Sequence, residues 1–261
     1  MNNKLLFSLI GMITGIALAA GWQALRTEKE AAPSAQRSAA LKERPLPHDP
    51  LIAGFQRSTA ASAADTADRA LEKRGFLNRD MRPQVPGRFV RRARTALVRP
   101  APPAEALPTL AVKHSVELIE DAKAGEAGVI VMKGESNVAA IGGLMAAAVC
   151  VAGMILDGGV SDLEEICALA LRVFARSVTP AAAAGSYDSV AKDVPVECAG
   201  VTIQPGDIMV AGEGGVVAAP AARAAEVLKR PQEFGERESP MVLFIQPFKS
   251  LSKAIAEFDR I

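Results

Sequence analysis

A chain of 261 residues, 49% of them hydrophobic and with a formal net charge of +1, is long enough for one sizeable domain with extensions. It is too apolar for a disordered protein, and its balanced charge gives no general pull towards nucleic acid or acidic partners. The three cysteines, Cys150, Cys167 and Cys198, are too few for a disulfide framework and lack metal-ligand spacing; Cys150 and Cys167 stand among apolar residues and are expected to be buried free thiols.

The first residues differ from the rest. After MNNK comes LLFSLIGMITGIALAA (5–20), apolar and uncharged, with a length between a signal-peptide core and a full membrane span. Ala17-Leu18-Ala19 offers a small-x-small cleavage site, and Trp22 with Arg26 offers interfacial anchors for an uncleaved helix. Residues 1–22 are therefore expected to be a signal peptide or membrane anchor. On either reading the body is exported, periplasmic or tethered to the inner membrane, with membrane contact only through this segment. Residues 23–50 have little apolar periodicity and several prolines, which predicts a flexible tether. The folded body is expected to start near Leu51.

Residues 58–75 predict a helix with a serine or threonine start and Gly75 at its stop. GRFVRRARTALVRP (87–100) is strand-like. Its arginines lack interleaved aromatics, so a solvated strand face is expected and no nucleic-acid contact. A helix follows over 107–126. GVIVM (128–132) predicts a buried strand by its continuous β-branched run, and KGESN (133–137) a loop. IGGLMAAAVCVAG (141–153) is expected to be mostly a short apolar helix and MILD (154–157) a strand. DGGVSD (157–162) then reads as strand end, glycine turn and helix start, and 161–176 as a helix running into a strand. This β-α-β-α-β order favours parallel pairing with right-handed crossovers. Over 194–220, Ala-Gly, Pro-Gly-Asp and Gly-Gly break the strands into hairpins. Pro220 opens a helix, AARAAEVLKR. MVLFI (241–245) predicts a strand, and Leu251, Ile255 and Phe258 mark one face of an amphipathic helix. The fold class is α/β: a parallel α/β core with antiparallel hairpins.

LRVFARSVTP (171–180), VPVECAGVTIQPGDIMVA (194–211) and GGVVAAPAARAAEVL (214–228) resemble the RraA-like family, and DGGVSDLEEI echoes its turn ending in arginine-aspartate. That family includes regulators of ribonuclease E activity and 4-hydroxy-4-methyl-2-oxoglutarate aldolases, which also decarboxylate oxaloacetate. The resemblance covers about residues 52–232. It implies a swivelling β/β/α domain over 51–232, followed by a C-terminal strand and helix over 233–261, assembled as a homotrimer with sites at subunit interfaces. Some members carry a menaquinone methyltransferase label. It has no support here, because no glycine-rich nucleotide loop follows the first strand of the body.

A family aldolase leaves a pyruvate enolate, as does decarboxylation of oxaloacetate. The substrate carboxylate must be held, the 2-oxo group polarised by a divalent metal (Mg2+, or another such as Mn2+), and the enolate charge stabilised. The resemblance assigns the first task to Gly142, Gly143, Leu144 and Met145, at the opening of a helix whose amides face an anion; two glycines that merely allow a tight turn are the alternative. It assigns metal binding to Asp162, whose competing role is first-turn acid in a capping box, Ser161-Asp162-Leu163-Glu164, with Ser161 as N-cap and Glu164 reaching back. Ser161 occupies the place of the family's catalytic arginine. A short neutral hydroxyl cannot replace that charge, so Ser161 is expected to be a helix cap where a catalytic arginine has been lost.

Other departures run the same way. Gly143 and Gly212 stand where the family commonly has aspartates, and Lys133 and Glu135 where it runs aspartate then glycines. Lys133 is a candidate replacement charge, a solvated loop lysine being the plainer alternative. His48 lies in the tether, His114 is expected to be structural or at the surface, and Ser161 has no evident histidine partner for a hydrolase triad. The expectation is a divalent-metal-dependent lyase acting on a small 2-oxo acid such as 4-hydroxy-4-methyl-2-oxoglutarate or oxaloacetate. The alternative is a non-catalytic exported binding or scaffold protein on the same fold.

Overall fold

The computed structural model describes residues 48–258 apart from 103–106, 124, 135–136 and 150; the side chains of 230–240 are not described. The expected signal or anchor, most of the tether, Cys150 and Glu135 therefore lie outside the described residues. The chain divides into two units, Met1–Arg44 and Pro45–Ile261, and the fold below is that of the second.

The body opens on α1 (Pro50–Gln56). Asp49 caps it, accepting from the Leu51 and Ile52 amides at 3.0 and 3.3 Å. The same carboxylate pairs with Arg92 at 2.6 Å, which ties the entry of the chain to the sheet. Helix α2 (Ala60–Leu71) is capped by Thr59, as its sequence predicts, but stops at Glu72 in the left-handed region rather than at Gly75. Gly75 instead packs on α2: a Cβ there would lie 2.6 Å from that of Ala67.

The remaining elements are β1 (Arg82–Val85), β2 (Phe89–Pro100), α3 (Pro108–Asp121), β3 (Glu126–Met132), β4 (Ala139–Ile141), α4 (Gly143–Ala148), β5 (Gly153–Val160), α5 (Leu163–Ala168), β6 (Arg172–Val178) and β7 (Tyr187–Lys192). They are followed by β8 (Val196–Cys198), β9 (Val201–Ile203), β10 (Ile208–Gly212), β11 (Gly215–Ala219), a 3-10 turn (Ala221–Arg223), α6 (Ala224–Phe248) and α7 (Leu251–Phe258). The main sheet runs β1-β6-β5-β3-β2-β10-β11, with β4 beside β5 and β7 beside the second half of β2. Strands β2, β3, β5 and β6 are parallel, and β1, β7, β10 and β11 join antiparallel, so the expected parallel core with added hairpins is what forms.

Alternation along the strands splits the core. Ile130, Met154 and Leu156 face the helices α3, α4 and α5. Val129, Val131, Ile155 and Phe174 face the β8–β9 hairpin, which contributes Val196, Cys198, Val201 and Ile203. A third cluster joins α1, α2 and the start of α6 to β10 and β11 through Phe55, Val210 and Val227. Each such side chain, fully buried, contributes about 1.5–3 kcal/mol.

Four expectations are corrected. Gly158 and Gly159 form no turn; they continue β5 to Val160. Their role is close approach: a Cβ on Gly158 would lie 2.6 Å from Met132 Cγ, and one on Gly159 2.4 Å from Thr179 Cγ2. Three of the four arginines of β2 are not a solvated face, because β2 is central: Arg92 pairs with Asp49, Arg94 with Asp193 at 2.6 Å, and Arg91 is half-buried, while Arg99 near the strand end is exposed. Cys167 is exposed, its apolar neighbours in sequence lying on the other side of a short helix, whereas Cys198 is fully buried. Residues 241–245 are not a strand. They continue α6, which crosses the expected boundary at 232/233, and a five-residue apolar run has no period that could have decided between the two. Helical spacing places the Phe244 and Phe248 rings 5.0 Å apart, and Phe244 also meets Phe258 of α7 at 5.8 Å. No helix among the described residues is long and apolar enough to cross a membrane.

Candidate functional site

The sequence-assigned residues come together at one corner, where β4 ends in α4 and β5 ends in α5. The Ser161 amide donates to the Ile141 carbonyl at 3.1 Å, which sets the two chain segments side by side. Gly142 is the N-cap of α4. The Gly143 amide, first of the helix, donates to Asp162 Oδ2 at 2.8 Å. Ser161 Oγ donates to the same oxygen at 3.1 Å. The approach depends on the glycines. A Cβ on Gly142 would lie 2.6 Å from both Asp162 Oδ2 and Ser161 Oγ, and one on Gly143 would lie 1.8 Å from Glu165 Oε2.

The expected capping box does not form. Asp162, not Ser161, is the residue preceding α5; it is left-handed (φ 51°), and no side-chain cap hydrogen bond is made there. Aspartate tolerates that conformation better than most side chains. With its backbone so turned, its carboxylate reaches across to α4 instead of its own helix. Ser161 thus orients Asp162. Leu144 stands 92% exposed beside this corner, and Met145 packs partly against the helix-side core.

Glu165 was not legible as a member of this corner. Its carboxylate lies over Gly143, in the volume a side chain at 143 would need. The available signal was its spacing: three residues after Asp162 on a helix puts both on neighbouring positions. Among the described residues no group of three or more His, Cys, Asp or Glu side chains is placed to hold a metal. The corner does assemble oxygen donors, which suit a hard cation that takes one or two carboxylates and otherwise keeps its water. Asp162 and Glu165 are the carboxylates of this corner that could hold such a cation.

A second polar centre lies on the hairpin face. Asp157 is 7% exposed and forms an ion pair with Arg176, which also pairs with Asp80 at 2.9 Å. Asp157 Oδ2 accepts from the Ala199 amide at 2.5 Å, in the turn between β8 and β9. Burial pulls the Arg176 guanidinium down, but Asp157 and Asp80 outweigh it and hold the group above its usual range. Burial, with the Asp157 charge adding to it, pushes the neighbouring Cys198 thiol well up, so this thiol is no nucleophile. A cleft of about 480 Å³ opens here, lined by Lys133, Asp157, Arg176 and Glu197 over an apolar wall that includes Leu97 and Val131. Lys133 belongs to this cleft, and no contact joins it to Ser161 or Asp162. His114 bonds Glu117 at 3.1 Å on α3, beside Lys192, in a surface network.

Sheet order, helical layer and hairpin define an α/β class shared with solved structures. An uncharacterised protein from Pseudomonas syringae pv. tomato superposes with a TM-score of 0.68 at 26% identity, over 81% of this chain and 99% of its own. A Streptomyces coelicolor protein described as an unusual member of the ribonuclease ES inhibitor RraA family gives a TM-score of 0.68 at 22% identity, over 76% and 100%. The family model described as RraA-like, Aldolase/RraA, matches residues 60–218, and the chain belongs to the RraA-like family. A Halalkalibacterium halodurans protein named as a candidate 4-hydroxy-4-methyl-2-oxoglutarate aldolase is 32% identical over 117 residues, 43% of this chain and 55% of that protein. An uncharacterised protein of Methanocaldococcus jannaschii is 36% identical over 89 residues, 34% and 42% of the two chains. The match thus spans about half the length of these curated relatives.

Proposed function

We propose that the protein is a divalent-metal-dependent lyase, an aldolase or decarboxylase acting on a small 2-oxo acid such as 4-hydroxy-4-methyl-2-oxoglutarate or oxaloacetate. The observation that carries this reading is the meeting of Asp162 with the Gly143 amide, where two glycines let the side chains of Ser161, Asp162 and Glu165 close in. Magnesium or manganese held at Asp162 would polarise the 2-oxo group and favour the enolate. The chain's own contribution is positional. The first amides of α4, those of Gly143, Leu144 and Met145, have no helical acceptor by their place in the helix and face an incoming carboxylate. Gly143 already donates to Asp162, so a substrate that uses its amide must draw that carboxylate away. Ser161 offers a neutral hydroxyl that keeps Asp162 oriented. In aldol cleavage a base takes the proton of the 4-hydroxyl as the C3–C4 bond breaks and its electron pair passes to the enolate. Glu165, with Oε2 over Gly143, is the base this geometry supports.

Ser161 favours a second reading, a non-catalytic binding or scaffold protein on the same fold. Its hydroxyl donates to Asp162, and it brings no cation to the enolate. The deciding measurement is magnesium-dependent pyruvate release from both substrates by the full chain. Activity abolished by Asp162→Asn supports the lyase; a silent wild type beside a Ser161→Arg/Gly143→Asp/Glu165→Ala variant that is active, its new carboxylate at 143 standing in for that of Glu165, supports the scaffold. Silence of both with these substrates overturns the lyase. Glu165→Ala belongs in that variant because its carboxylate fills the space a side chain at 143 requires. The proposal extends to an exported body, resting on the uncharged apolar run 5–20, and to a homotrimer, resting on the family. Cell fractionation and light scattering test these two.

A further inference from the structure

The apolar face beneath the β8–β9 hairpin ends in a charged row. Val131, Ile155 and Phe174, on the neighbouring strands β3, β5 and β6, are buried on that face. The period of two brings the second residue after each to the same face, and all three are charged: Lys133, Asp157 and Arg176. The Lys133 amide donates to the Val98 carbonyl at 2.8 Å, so the pairing with β2 holds to that point. At this row the apolar packing gives way to the cleft of about 480 Å³, a volume within the range of small-molecule sites. Glu197 of β8 borders the cleft, and Leu97, Val131 and Val196 give it an apolar wall.

The charges of this lining are unequally engaged. Asp157 is used on both oxygens, by Arg176 and by the Ala199 amide. Arg176 meets Asp157 through Nε and Asp80 through Nη1, and among the described residues nothing takes its Nη2. Lys133 and Glu197 are exposed, and among the described residues neither forms an ion pair. The lining holds two cations, Lys133 and Arg176, and two anions, Asp157 and Glu197, so it exerts no general pull on a ligand of either sign. A ligand that carries both charges uses both kinds of free group. A carboxylate suits Lys133 and the open Nη2, an ammonium suits Glu197, and an aliphatic body suits the wall. We propose that the cleft binds an α-amino acid with an apolar side chain, in that orientation. It shares no lining residue with the Asp162 corner and does not depend on the lyase reading.

The test is calorimetric titration and thermal unfolding of the full chain with leucine, with 4-methylpentanoate, which lacks the ammonium, and with 3-methylbutylamine, which lacks the carboxylate. Leucine is expected to bind saturably and to raise the melting temperature, and each analogue to bind about tenfold more weakly or worse. Lys133→Gln and Glu197→Gln, at exposed positions without ionic partners, leave the fold intact. Each should weaken leucine binding by about tenfold, the lower end of the range for a bond to a charged group because both positions are exposed. Lys133→Gln should bring leucine down towards the amine, and Glu197→Gln towards the acid. No binding of leucine, an analogue that binds as well as leucine, or undiminished leucine binding by both variants overturns the inference.

Discussion

Replacing Asp157 tests how the hairpin face is held. The carboxylate has two partners, Arg176 in an ion pair and the Ala199 amide at 2.5 Å, and almost no solvent. Asp157→Ala removes both. Deleting one member of a buried pair costs about 3–5 kcal/mol, because the partner charge is stranded. Arg176 keeps Asp80 at 2.9 Å and some solvent, which argues for the lower end, about 3 kcal/mol. Asp157→Asn keeps an acceptor for Ala199 and should cost about half as much. Urea unfolding of both variants and of Asp157→Ala/Arg176→Met measures this. The double variant should be less destabilised than the sum of its singles, since no charge is left stranded. A loss below about 1 kcal/mol for Asp157→Ala, or strict additivity, would refute the reasoning.

Ala170 is exposed and left-handed (φ 53°) just past α5, so Ala170→Gly should stabilise by about 0.5–1 kcal/mol; an unchanged or lower melting temperature would contradict the strain. The Arg94 hydrogen bond, against an opposing effect of burial, holds the Asp193 carboxyl below its usual range. A depressed acid stabilises above its unfolded pKa and loses that contribution as pH falls through the folded one. The stability gap between wild type and Asp193→Asn should therefore be steady above about pH 4 and shrink below it, which acid titration of unfolding will reveal. In the native protein, alkylation mapped by mass spectrometry should modify Cys167 and spare Cys198 until the chain unfolds; early labelling of Cys198 would mean the hairpin opens readily.

Continuous apolar runs and turn residues were legible where one outcome satisfied them. GVIVM is separated from a helix by its β-branched residues and flanking turn signals rather than by any period, and Pro-Gly-Asp marks the turn into β10. DGG was not, because a glycine pair serves equally for a turn or for close packing, and only the neighbours Met132 and Thr179 decide. Residues 241–245 failed for want of a period, and the β2 arginines because their partners, Asp49 and Asp193, are distant in sequence. At the candidate site the meeting of Gly142, Gly143, Ser161 and Asp162 followed the family pattern. The direction of the Asp162 side chain did not, since a left-handed backbone at one residue redirects it from its own helix to the next. Asp157 was the signal missed: an aspartate inside the buried run GMILDGGV must have a partner, whatever its function.

The contact of Glu165 with Gly143 also bears on how such a site changes over generations. With Glu165 in place, any side chain gained at 143 meets an oxygen 1.8 Å from its Cβ, so the carboxylate must swing away before the gain is tolerated. With glycine at 143, that carboxylate has a berth and its loss brings no benefit. Glu165 thus makes a replacement at 143 harder, while glycine at 143 leaves 165 free to change. An acid regained at 143 settles once Glu165 turns out into solvent or is replaced, so the two positions are read as a pair.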